Sequence, residues 1–245
     1  MMHFLRSIWV IIFAVLHTIF CSIAAIAFGI FKPYSRMVDG IIRLWAKGIL
    51  KVAGVKVIVH GQEKLRKDQP YIFISNHQGA FDILAGVVAI PVTMRFIAKK
   101  ELFRIPIFAQ GMRAVGMIPI DRGNSEQARR SLEEAAQTLQ KGVSVLIFPE
   151  GTRSLDGNIK PFKKGGFVLA LKSGLPIMPM VFSGSLNILR KKSIKVHKGT
   201  IHVYFLDEVD TSKYGFEKRN ELLKNVRQQI VDFYEKVKVE PERGE

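Results

Sequence analysis

Residues 71–89 read "YIFISNHQGAFDILAGVVA", and this stretch decides how the whole chain is understood. Tyr71 to Ser75 is a short β-branched and aromatic run of the kind that forms a strand buried on both faces. "QGA" lets the chain leave that strand, and "FDILAGVVA" continues as an apolar helix. A covered strand feeding straight into a helix is the repeating unit of an α/β fold. The same alternation extends in both directions. Strand-like runs are "VKVIVHG" (55–61), "YIFISN" (71–76), "MRFIAK" (94–99), "GMIPID" (116–121), "VSVLIFP" (143–149), "IMPMVFSG" (177–184) and "TIHVYFLDEV" (200–209). Between them, "SEQARRSLEEAAQTLQKG" sets Leu132, Ala135, Ala136 and Leu139 on one helical face, and "KGGFVLALKSG" and residues 217–237 are further helices. The fold predicted for 55–245 is therefore α/β, a central mostly parallel or mixed sheet flanked by helices.

Upstream the pattern changes. Ile8 to Phe31, "IWVIIFAVLHTIFCSIAAIAFGIF", holds no Lys, Arg, Asp or Glu and as a helix would be about 36 Å long. It reads as a membrane helix, crossing or re-entrant. The rival readings are a cleaved leader, since Arg6 precedes it and Ala25-Ile26-Ala27 resembles a cleavage site, and a buried core helix. In "YSRMVDGIIRLWAKGILKVAG" (34–54), Arg43, Lys47 and Lys51 recur every four residues as a basic stripe, with Ile41, Ile42, Trp45, Ile49 and Val52 facing elsewhere. Such a helix lies on anionic headgroups or packs on the domain as an ordinary amphipathic helix. Lys32-Pro33 separates the two. Residues 1–54 are thus expected to form a membrane-associated two-helix hairpin. Trp9, Phe31, Arg43, Trp45, Lys47 and Lys51 would be its membrane-facing residues. Because the second helix is amphipathic, insertion into one leaflet is favoured. The basic excess beyond the apolar run puts the main domain on the cytoplasmic side of a cytoplasmic or inner membrane.

The chain has 245 residues, 48% of them hydrophobic, and a formal net charge of +16. That charge calls for an anionic partner: phospholipid, phosphorylated substrate or nucleic acid. The single cysteine, Cys21, lies in the apolar run, which argues against an intramolecular disulfide, a Cys-based metal site or a catalytic thiol. Walker, HExxH, GxSxG and paired CxxC patterns are missing, and no RNA- or DNA-binding motif appears.

Two constellations can carry chemistry. His77 and Asp82 lie five residues apart. An HxxxxD arises by chance at roughly 0.2 per chain of this composition, so the spacing alone is weak. On a regular helix the two side chains would diverge by about 140°. With His77 in the loop and Asp82 in the helix's first turn they can meet, and a carboxylate on one imidazole nitrogen prepares the other as a base. Equally, Asp82 can serve only as a helix-start residue, with His77 incidental. The second constellation is "LIFPEGTRS" (146–154), where a strand runs into Glu150, Gly151 and Arg153. Ligands of α/β sheets gather beyond the carboxyl ends of strands, so these residues suit an anion site, or else a surface turn. Lys99, Lys100 and Arg122 lie at other strand ends. "LRKKSIKVHK" (189–198) is a basic run, either a solvated loop or, beside a membrane, a headgroup contact.

Taken in order, "NHQGAFD", "AKKELF" with "GMIPIDR", "FPEGTRS" and "LPIMPMVFSG" resemble the four blocks of the glycerolipid acyltransferase family, especially bacterial lysophosphatidic acid acyltransferases. The resemblance covers about Pro70 to Gly184. It implies that His77 is the general base on the acceptor's sn-2 hydroxyl and that Asp82 orients it. It also implies that Lys99 (in preference to Lys100), Arg122 and Arg153 bind the acceptor phosphate in a pocket shaped by Glu150 and Gly151. The donor would be an acyl thioester, acyl-CoA or acyl-carrier protein, the acceptor lysophosphatidic acid and the product phosphatidic acid. Neither a cofactor nor a metal is expected, because a thioester is already activated. Acylation of glycerol 3-phosphate or another lysolipid, or a non-catalytic membrane phospholipid-binding module, are the alternatives.

Overall fold

The computed structural model describes residues 2–66, 68–121, 123 and 125–239. In chain order its elements are α1 (Met2–Gly29), α2 (Arg36–Ala53), β1 (Val55–His60), β2 (Ile72–Ser75), α3 (Phe81–Ala89), β3 (Met94–Lys99), α4 (Phe108–Ala114), β4 (Ile118–Ile120), α5 (Ser125–Gln140), β5 (Ser144–Ile147), α6 (Gly165–Ser173), β6 (Ile177–Ser183), α7 (Ser185–Ile188), β7 (Gly199–Phe205) and α8 (Arg219–Val237).

The seven strands form one sheet in the order β1-β7-β6-β2-β5-β3-β4. From β6 to β4 the strands are parallel, with Ile72 registered against Val145 on one side and Ile177 on the other. β7 runs antiparallel to β6, and β1 is parallel to β7, so that pair is reversed relative to the rest. Alternation along each strand explains why both faces are covered. Phe73, Leu146, Met178, Met180 and Phe182 point into a core shared with α2, α3 and α4. Ile72, Ile74, Val145, Ile147, Ile177 and Val181 point into the opposite core, under α5, α6 and α8. The expected α/β class and the expected strands are all present.

The N-terminal pair is a hairpin. Ser35 caps α2, its hydroxyl accepting from Val38 N at 3.4 Å. α1 packs along α2 and α4, and Trp45 Nε1 donates to Thr18 Oγ1 at 2.9 Å. The hairpin also belongs to the domain core: Val38, Ala46, Ile49, Leu50 and Ala53 of α2 are buried with the residues of β2, α3 and β6. A charged clamp fixes its turn. Arg95, wholly buried at the start of β3, donates to Asp39 Oδ1 at 2.8 Å and to the carbonyls of Pro33 and Val115, under the Tyr34 ring. Burial pushes the Arg95 guanidinium pKa down and Asp39 pushes it back.

The basic stripe of α2 divides. Lys47 and Lys51 are exposed, whereas Arg43 turns inward and donates to Val87 O at 2.9 Å and Ile90 O at 2.6 Å, the orphan carbonyls at the end of α3. Trp45 likewise faces α1. The outward apolar surface belongs to α1, where Trp9 is 62% exposed, with Phe31 at 85% just beyond the helix end. By length and composition α1 is the one helix among the described residues long and apolar enough to cross a membrane.

Candidate active site

The strand-to-helix link predicted from the opening stretch brings His77 and Asp82 into contact. His77 Nδ1 lies 2.8 Å from Asp82 Oδ2. That same oxygen accepts the backbone N–H groups of Gln78 at 2.7 Å and Gly79 at 2.8 Å. Asp82 is fully buried and His77 is 8% exposed. Both backbone groups can only donate, so Asp82 Oδ2 acts as an acceptor in this cluster. The imidazole must therefore present N–H from Nδ1, which leaves the Nε2 lone pair as the basic position. Phe148 closes one face of the ring, stacked at a centroid distance of 4.1 Å. Gly79 is required by a close approach: a Cβ there would stand 2.6 Å from the Ser185 carbonyl oxygen.

The loop after β5 is tied to the histidine through its backbone. Glu150 Oε1 accepts from His77 N at 2.7 Å and its Oε2 from Lys160 N at 2.9 Å. Ser154 N donates to His77 O at 2.8 Å. Burial raises the Glu150 carboxyl to about 7, against the two backbone donors, which favour the anion. The Glu150 carboxylate is thus occupied in holding two loops. Gly151 has φ +69°, and a Cβ on it would stand 3.3 Å from Lys163 Nζ, so the glycine leaves that ammonium its place.

The remaining cations are distributed along the same edge. In the sheet order β2-β5-β3-β4 the carboxyl ends carrying His77, Glu150–Arg153, Lys99 and residue 121 follow one another. Arg153 is half-buried. Lys99 is exposed and 3.4 Å from Glu101. Lys100 pairs with Asp121, which leaves the first lysine the freer of the two. Arg122 lies outside the described residues. An apolar cavity of about 110 Å³ opens between the hairpin and the domain, lined by Trp45, Ile83, Phe96, Leu102, Phe108 and Met112 among others. Of α3, Ile83 lines this cavity. Among the described residues no cluster of His, Cys, Asp and Glu could hold a metal ion.

Residues 56–183, which contain every part of this edge, match the family model described as Acyltransferase. The chain belongs to the acyltransferase family. Among curated members of this acyltransferase family, a 1-acyl-sn-glycerol-3-phosphate acyltransferase of Limnanthes douglasii is 33% identical over 194 residues, covering 79% of this chain. The chain spans only 66% of that relative's length. The human 1-acyl-sn-glycerol-3-phosphate acyltransferase alpha is 32% identical over 205 residues, covering 83% of this chain and 72% of its own. The crystal structure of the 1-acyl-sn-glycerophosphate acyltransferase PlsC from Thermotoga maritima superposes with a TM-score of 0.81 at 27% identity, covering 97% of this chain and 98% of that one. The likeness therefore includes the hairpin.

Two residues that hold this constellation escaped sequence reasoning. Asn76 exchanges both amide bonds with the Phe182 backbone, at 2.9 and 2.8 Å, extending the β2–β6 ladder by one side-chain rung to the foot of His77. Phe148 packs the imidazole. Both stood inside quoted motifs, but nothing local distinguishes a wedge from an ordinary core residue.

Proposed function

We propose that this protein transfers an acyl chain from a thioester to the sn-2 hydroxyl of lysophosphatidic acid, forming phosphatidic acid. The observation that carries the reading is the His77–Asp82 contact, with Nε2 left basic at the strand-end edge. The names of the relatives and of the structural neighbour support the acceptor. In the proposed step Nε2 takes the hydroxyl proton as the oxygen attacks the thioester carbonyl. The C–O bond forms, the tetrahedral intermediate collapses, the C–S bond breaks, and the imidazolium returns its proton to the departing thiolate. Asp82 stabilises that imidazolium throughout. A positioned base of this kind contributes about 10²–10⁴-fold.

Arg153, Lys99 and Arg122 would neutralise the acceptor phosphate, while Glu150 and Gly151 shape the pocket by holding its loops. The apolar cavity beside Ile83 suits an alkyl chain. Donor identity is read only as a thioester of coenzyme A or acyl-carrier protein. The exposed apolar face of α1 supports a membrane-resident enzyme, with residues 1–54 as the anchor, 55–245 as the catalytic part, and the site facing the cytoplasm. Purified protein should release free CoA from palmitoyl-CoA only when lysophosphatidate is present, and a folded His77→Ala variant should not. Equal turnover with glycerol 3-phosphate would redirect the reading to that acceptor. No release with either donor would leave a phospholipid-binding module.

A further inference from the structure

The basic run after α7 is built into the molecule at both of its ends. Residues 190–198 carry Arg190, Lys191, Lys192, Lys195 and Lys198 and no acid. The segment folds on itself through Ser193 N to Arg190 O at 3.1 Å and returns through His197 N to Ile188 O at 2.8 Å. Toward the site, Lys191 Nζ donates to Thr152 Oγ1 at 2.8 Å, within the Glu150–Arg153 loop. Toward the anchor, buried Val196 donates its N–H to Ser7 Oγ at 3.0 Å and accepts from Arg6 Nη1 at 2.7 Å. Arg6 also reaches Ala53 O at the end of α2.

Two observations indicate what this segment meets. Its one exposed apolar side chain, Ile194, is 59% exposed between lysines. On α1, on either side of the Arg6–Ser7 pair that holds the loop, Phe4, Leu5 and Trp9 are 49%, 56% and 62% exposed. The loop therefore continues the exposed apolar face of α1. Lys192, Lys195 and Lys198 are exposed, and among the described residues none of them forms an ion pair. A soluble acidic partner would match the charge but gain nothing from the apolar residues, whereas a bilayer surface with anionic headgroups matches both.

We propose that residues 190–198 form a docking surface for anionic phospholipid headgroups, with Ile194 entering the interface and the lysines engaging phosphates. The surface seats the Glu150–Arg153 loop against the membrane through Lys191 and Thr152. It does not depend on the acyl-transfer reading, and its readout is binding rather than turnover.

The test uses the full chain, purified in mild detergent and diluted into vesicles of phosphatidylcholine alone or with equimolar phosphatidylglycerol. At about fivefold per lysine near an anionic surface, the combined K192Q, K195Q and K198Q variant should lose on the order of 10²-fold of the preference for phosphatidylglycerol. Its binding to pure phosphatidylcholine should remain, because α1 is untouched. High salt should abolish the wild-type preference in the same way. A triple variant that keeps the preference overturns the proposal. So does one whose only defect is a raised KM for acyl-CoA in micelles, which would make the loop a donor site. Should the triple variant melt early, Ile194→Trp in the otherwise unaltered chain gives a second measurement. After the wild-type signal of Trp9 and Trp45 is subtracted, its emission should shift to the blue on phosphatidylglycerol vesicles, and an unshifted difference spectrum counts against the surface.

Discussion

One oxygen of Asp82 does two jobs. It accepts Gln78 N and Gly79 N, which ties the loop to the first turn of α3, and it meets His77 Nδ1, as the orienting partner of the proposed base would. The contact forms because the first turn of α3 is where a carboxylate can reach back to the loop. Asp82→Ala should lower turnover about 10²–10⁴-fold and also cost about 1–3 kcal/mol of stability, because the Gln78 and Gly79 N–H groups lose their buried acceptor. His77→Ala should match the first loss without the second. Turnover assays beside urea unfolding of each variant separate these outcomes. Glu150 provides a pH test. Its pKa is about 7 in the folded chain against 4.5 unfolded, so between those values the folded state holds the extra proton. Its contribution to stability is therefore full below about 4.5 and falls as the pH rises toward 7. Glu150→Gln should flatten that part of the melting-temperature curve relative to wild type. It should also loosen the loops, since an amide oxygen can serve only one of the two backbone donors.

At the scale of elements, what the sequence could not supply was side-chain direction across long separations. The α2 stripe was legible as composition, yet Arg43 turns inward because α3, more than forty residues later, ends with open carbonyls beside it. "MRFIAK" was legible as a strand, but nothing nearby announced that its arginine would be the largest fully buried side chain, needing Asp39 from the hairpin. Asp39→Ala should leave that guanidinium buried without a counter-charge and cost about 3–5 kcal/mol, measured by urea unfolding in detergent. Adding Arg95→Met should recover part of the loss, since an apolar side chain of similar length removes the stranded charge.

At the scale of the molecule, the strand runs and the covered sheet were legible because alternation and β-branching are local signals. The strand order was not, because pairing is decided by contacts between distant segments. The His77–Asp82 contact was readable as a candidate once four blocks stood in order, whereas Phe148 packs and Asn76 hydrogen-bonds across the sheet in ways that no block records. The hairpin's tie to the domain also changes how membrane attachment is best tested. Removing residues 1–54 would strip Val38, Ala46, Ile49, Leu50 and Ala53 out of the core. Replacing exposed Trp9, Leu16 and Phe20 of α1 with Asp leaves that core intact, and should move the protein from the membrane pellet to the soluble fraction while its melting temperature holds.

The reversed pair β1 and β7 bears on how the chain is made. β1 hydrogen-bonds only to β7, and Val55 meets Gly199, so that border of the sheet stays open until Phe205 has left the ribosome. By then α1 has been outside for most of the translation time, with its apolar side chains facing whatever surrounds the nascent chain. On this order of events the apolar face of α1 meets its surroundings before the sheet closes, so under the proposed function the protein would be moored before its site is complete.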